Sequence, residues 1–208
     1  LLVASLKKAA AIPAKTLLFN IDQKANLIAK DQTDALLRVF VKVFDESRGY
    51  FGNDGAVARF EEDLDARGQY NDFKAAFRKH AGFDWRQGRE QTALEGHNID
   101  KAFIEVNGEA NPGIIDQYQK SYAVSIEDFA ASVKAWIDHQ VPGFRLNFFV
   151  DEVGQFIADD VKLMLNLQTI AESLNTKCNG QSWVFVTSQE DMEKVVGDQP
   201  RTHANDFS

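Results

Sequence analysis

The chain has 208 residues, is 44% hydrophobic and 26% charged, and carries a formal net charge of -8 with a pI near 5.0. That length supports one substantial domain with a real core, and that composition excludes disordered, collagen-like and fibrous classes. The acidic balance argues against the whole chain as a strong polyanion binder, because affinity for nucleic acid comes largely from neutralised phosphates.

The sequence opens "LLVASLKKAAAIPAKTLLFNI", directly on helix formers, with Leu2 and Leu6 one turn apart before Pro13 stops the run. It has no initiator Met and no N-cap there, so the chain is expected to be a fragment of a longer protein. "KTLLFNID", Lys15 to Asp22, is a short apolar run that predicts a buried strand. A helix is expected from about Thr33 to Glu46, with Leu36, Leu37, Phe40, Val43 and Phe44 on one stripe.

From Ser47 the character changes. Glycines punctuate short polar segments that carry aromatics, and "ARFEEDLDARG", "YNDFKAAFRKHAG" and "SIEDFAASVKAWIDHQ" are the clearest helices. In the last, Ser125 is the expected N-cap, with Asp128 completing a near capping box. Residues 47–140 are therefore expected to form a mostly helical insertion between core segments 1–46 and 141–208.

The α/β alternation then resumes with strand "RLNFFV", a helix from about Asp160 to Asn175 carrying Leu163, Leu167, Ile170 and Leu174, and strand "SWVFVTS". This order is the grammar of a doubly wound parallel sheet. Apolar runs such as "LNFFV" and "SWVFV" are far shorter than the roughly 20 residues of a membrane helix. Cys178 is the one cysteine, which rules out an internal disulfide and fits a reducing, cytoplasmic setting.

In a parallel sheet, ligands sit outside the carboxyl ends of the strands. "RLNFFVDEVGQFI" places Asp151 and Glu152 at such an end. A hydrophobic strand followed by Asp-Glu is the Walker B pattern of P-loop ATPases. Asp151 would hold the Mg²⁺ of a bound ATP, and Glu152 would be the catalytic base polarising the attacking water. The neighbouring strand ends in Thr187, Ser188 and Gln189. Ser188 and Gln189 are the candidates for the polar sensor that additional-strand P-loop ATPases place beside Walker B.

The competing explanation is local, since acidic side chains after a strand often cap a helix. The Walker A run G-x-x-x-x-G-K-[ST] does not occur in the 208 residues. The glycine-rich loop is expected immediately upstream of Leu1.

"LNFFVDEVGQFI", "NLQTIAESLNTKCNGQSWVFVTSQEDMEKVVGD", the terminal "NDFS" and "TLLFNIDQKA" resemble the BrxC (PglY-like) family of P-loop ATPases from BREX phage-exclusion systems. The resemblance implies an additional-strand, AAA+-like P-loop fold with a helical insertion and cytoplasmic antiviral defence. It also implies Mg²⁺ and ATP as cofactors, with Asp151 on the metal and Glu152 as base. The implied partners are the DNA methyltransferase and phosphatase-like protein of the same system, DNA reached directly or through them, and further copies of the chain. The rival expectation is a non-hydrolysing interaction module on a degenerate P-loop scaffold.

Three further features carry less. His80, His97, His139 and His203 lack metal-ligand spacing. "FRKHAGFDWRQGRE" mixes Arg78, Lys79, His80, Arg86 and Arg89 with Phe83 and Trp85, which suits either nucleic-acid contact or a solvated face over core aromatics. Arg59, Arg67 and Arg201 are candidate arginine fingers.

Overall fold

The computed structural model describes residues 2–25, 34–158 and 160–188. These residues form a mixed α/β structure, predominantly helical, around a single three-stranded parallel sheet. Gln189, Arg201 and His203 lie outside the described residues.

The strands run in the order β1 (Ala14–Asn20), β2 (Arg145–Asp151), β3 (Ser182–Val186). Ala14 pairs with Arg145 and Asn20 with Asp151, while Leu146 pairs with Ser182 and Val150 with Val186. Side chains alternate across the sheet, so one face collects Leu17, Phe19, Leu146, Phe148 and Val150, all buried. Three helices supply the aromatic and aliphatic partners of this face: α3 (Ala35–Arg48), α9 (Ile126–Asp138) and α11 (Val161–Lys177). Phe40 on α3 lies 5.7 Å from Phe19 and 5.3 Å from Phe148, ring to ring, and Phe129 on α9 lies 6.1 Å from Phe148. The predicted stripe of α11, Leu163, Leu167, Ile170 and Leu174, is buried.

The opposite face is exposed. Leu18 is 76% accessible, Trp183 48% and Phe185 42%, with Phe149 stacked on Phe185 at 4.4 Å. The amphipathic α1 (Leu2–Ala10) also exposes Leu2, Val3 and Leu6.

Strand β1 ends at Asn20, two residues before the sequence suggests. Ile21 is fully buried and opens the short helix α2 (Ile21–Ala25), which places Asp22 and Lys24 on a helix rather than on the strand.

The chain divides into two compact units, Leu1–Phe40 with Val124–Ser208, and Val41–Ala123. Helix α9 falls inside the 47–140 span yet groups with the sheet, because Phe129, Ala130, Val133 and Ile137 are its buried stripe. Its N-terminus closes as a full capping box: the Asp128 N–H donates to Ser125 Oγ at 3.1 Å, and the Ser125 N–H to Asp128 Oδ2 at 3.3 Å.

The second unit holds α4 (Gly55–Ala66), α5 (Tyr70–Ala81), α6 (Trp85–Gly88), α7 (Thr92–Asn107) and α8 (Ile114–Ser121). Its core is aromatic, with Phe60, Phe73, Phe77 and Trp85 in edge-to-face contacts such as the 5.1 Å Phe60–Phe73 pair. Inside it sits a fully buried carboxylate, Glu61. That carboxylate accepts from the Phe51 N–H at 2.6 Å, Trp85 Nε1 at 2.7 Å, Tyr70 Oη at 2.8 Å and Arg89 Nη1 at 3.2 Å. A buried charge is tolerable only when paired and hydrogen-bonded to this degree.

Candidate functional site

The site is built where three parallel strands end together. Because Asn20 pairs with Asp151, β1 and β2 finish level, and the chain leaving β3 continues alongside them. Thr187, one residue beyond β3, donates its N–H to the Val150 carbonyl at 3.0 Å, and its own carbonyl accepts from the Val153 N–H at 3.1 Å. These two bonds clip the strand end to both sides of the Asp151–Glu152 pair.

The two carboxylates have different partners. Asp151 is exposed, and its Oδ1 accepts both the Thr187 hydroxyl and, at 3.0 Å, the Glu152 N–H. Among the described residues Oδ2 takes no hydrogen bond. Glu152 is half-buried and accepts from the Asn20 side-chain amide on the neighbouring strand. The Asn20 Oδ1 in turn accepts from the Gln23 N–H at 3.1 Å, which requires Nδ2 to face the glutamate.

Glu152 adopts a left-handed backbone, φ 61° and ψ 32°. For a side chain other than Gly, Asn or Asp this conformation is uncommon and costs on the order of 1–2 kcal/mol. The turn swings the second carboxylate off the strand line, so that adjacent residues serve different neighbours.

This geometry separates the two explanations of the Asp-Glu pair. Glu152 holds the N-cap position of α10 (Val153–Ile157) yet makes no side-chain capping bond there. Asp160, by contrast, caps α11 by accepting from the Lys162 and Leu163 N–H groups. Helix capping therefore accounts for Asp160 and not for Glu152.

Of the two sensor candidates, Ser188 is described. It sits beside Gly154, where an added Cβ would lie 2.1 Å from its Oγ and 3.1 Å from its own Cβ. The glycine in "DEVGQ" thus admits the close approach of the chain leaving β3. The hydroxyl on Asp151 belongs to Thr187. The sequence marks Asn20 and Thr187 as polar strand-end residues on the edge of the Asp-Glu pair, Asn20 as a candidate for positioning nucleotide or sensing its state, but it does not mark either as a partner of a carboxylate. The signal that finds them is cross-strand register: both are polar residues carried level with Asp151 at a sheet edge.

The basic and aromatic segment 77–90 resolves as a packed helical edge. Trp85 is 2% exposed and bonded to Glu61, and the Phe83 ring packs on Phe77 at 5.7 Å. Arg89 pairs with Glu61 and lies over the Phe51 ring, Arg78 pairs with Asp84, and Lys79 and His80 share Glu105. Arg59 is engaged by Glu62 and Asp63 of its own helix, at 3.0 and 3.3 Å.

What the arrangement can do follows from its polarity. One carboxylate is pinned through a single oxygen with the other turned to solvent, as suits a ligand of a hydrated divalent cation. The second is held by a neutral amide at the same edge, as suits a base acting on a water. No protein-family model matches the chain, and no solved structure matches it. No helix among the described residues is long and apolar enough to cross a membrane.

Proposed function

We propose that this chain carries the Walker B half of an additional-strand, AAA+-like P-loop ATPase core, acting in a BREX antiphage defence complex on DNA. The observation that carries the reading is the division of labour at the end of β2, with Asp151 held from the β3 side and Glu152 held from β1. A capping pair would have no use for two such partners on two strands.

When bound, Mg²⁺ and ATP would supply an electrophilic γ-phosphate and a cation to offset its charge. Asp151 offers Oδ2 to the cation or to one of its waters. Glu152 orients the attacking water and draws its proton, while Asn20 fixes the carboxylate that does so. The parallel order of the strands and their common edge support the reading, since this is where α/β proteins bind ligands. The exposed sheet face supports it too, because parallel sheets are normally covered on both sides and further core elements would provide that cover. The partners of this reading are the DNA methyltransferase and phosphatase-like protein of the same system.

The test is ATP turnover by the complete gene product. Wild type should hydrolyse ATP and Glu152→Gln should bind it without turnover, because the substitution keeps the shape and removes the base. Turnover at the wild-type rate in Glu152→Gln overturns the reading. So does a complete coding sequence lacking G-x-x-x-x-G-K-[ST] upstream of Leu1.

A further inference from the structure

We infer that Thr187 is a positioning residue for Asp151, and that it sets how that carboxylate can meet a divalent cation. The inference rests on the Mg-nucleotide reading of the pair. It assigns the β3 end a task different from contact with the nucleotide by Ser188 or Gln189.

Strand parity places the residue. On β2 and β3 the pairs Asn147–Trp183 and Phe149–Phe185 lie on one face, and continuing by two residues brings Asp151 and Thr187 to that same face. Ser188 belongs to the other parity and packs beside Gly154. The Thr187 backbone is itself fixed, bonded to Val150 on one side of the pair and to Val153 on the other. Its hydroxyl therefore approaches Asp151 from a rigid base.

The consequence lies in the count of free oxygens. The Thr187 hydroxyl and the Glu152 N–H both occupy Oδ1, so among the described residues Oδ2 is the oxygen left open to a cation. A carboxylate pinned in this way binds through one oxygen and cannot rotate to chelate through two. Monodentate binding with retained water suits the small octahedral Mg²⁺, or Mn²⁺, whereas Ca²⁺ takes more ligands and often a bidentate carboxylate. Thr187 thus favours the smaller cations.

The experiment uses the complete gene product with Thr187 intact, Thr187→Val and Thr187→Ser. Mn²⁺ binding in the presence of ATP is followed by electron paramagnetic resonance, with Ca²⁺ as competitor and ATP turnover measured in parallel. Thr187→Val should raise the half-saturating Mn²⁺ concentration roughly fivefold, the worth of one hydrogen bond, and should make Ca²⁺ a better competitor. Thr187→Ser should restore both, because it returns the hydroxyl. Wild-type metal behaviour in Thr187→Val, or a Thr187→Ser variant as defective as the valine, overturns the assignment. Wild-type protein that neither binds Mn²⁺ with ATP nor turns ATP over brings down the Mg-nucleotide reading and this inference with it.

Discussion

The Asn20 side-chain amide donates to the Glu152 carboxylate across the β1–β2 pair, joining residues 132 positions apart. The bond has a fixed sense, because the Gln23 N–H holds the other end of the amide. Asn20→Ala should remove this hold on the Glu152 carboxylate, lowering ATP turnover by the complete gene product roughly tenfold while ATP affinity stays near wild type. Asn20→Asp should be worse, since it sets a like charge against the glutamate. Steady-state kinetics alongside equilibrium ATP binding checks this. Unchanged turnover in Asn20→Ala would show that the bond plays no part in the chemistry.

Asn20 also marks where local sequence stops being informative. The sheet and α11 are legible because each element buries its own face, in period 2 for Phe148 and Val150 and in helical period for Leu163, Leu167, Ile170 and Leu174. The carboxylate pair is legible because charge behind an apolar strand has few explanations. Their partners are not, because which polar residue reaches Asp151 or Glu152 depends on register between distant strands. Helix α7 is missed for a different reason. Gly96, His97 and Asn98 are poor helix formers that dilute the stripe of Ile99, Ala102 and Phe103, and tertiary burial of that stripe overrides them. Composition also assigns α9 to the insertion, whereas its aromatic contact with Phe148 ties it to the sheet.

Glu61 makes the second unit depend on one charge. Its carboxylate satisfies a backbone amide, an indole, a phenol and a guanidinium, and it has no contact with solvent. Glu61→Ala strands those donors and leaves Arg89 as an uncompensated cation. The cost should be about 3–5 kcal/mol, a large share of the stability of a unit this size. Urea unfolding followed by circular dichroism tests it. A loss below about 1 kcal/mol, the worth of a single neutral hydrogen bond, would show that water replaces the carboxylate without difficulty.

Asp45 should impose a pH dependence of the opposite sign to ordinary acid denaturation. Burial pushes its carboxyl up to about 6, outweighing the Arg48 guanidinium 2.5 Å away, which acts to lower it. A raised carboxyl favours the folded state when protonated. Its contribution is therefore complete below about pH 4 and is lost as the pH rises through about 6. The corresponding change is on the order of 2–3 kcal/mol. The stability difference between wild type and Asp45→Asn isolates this group from the other carboxylates. Wild type should lose ground against the variant between about pH 4 and pH 7. A difference that stays flat across that range would mean that Asp45 is ionised in the fold at an ordinary value.

Cys178 offers a reporter for the sheet unit. It is fully buried at the C-terminus of α11, and burial pushes its thiol up to about 11, with smaller opposing effects from Lys134 and Asp138. Near pH 8 only about one thiol in a thousand is then ionised, and the thiolate is the reactive form. N-ethylmaleimide should therefore leave the folded chain unmodified for hours and label it rapidly once urea opens the unit. Because no second cysteine exists in the sequence, the labelled fraction needs no correction. Against urea it should follow the loss of α9 and α11 packing on the sheet, and Ile170→Ala, which removes a fully buried contact of α11, should move it to lower urea. Native-state labelling as fast as that of a free cysteine would show that α11 opens readily without global unfolding.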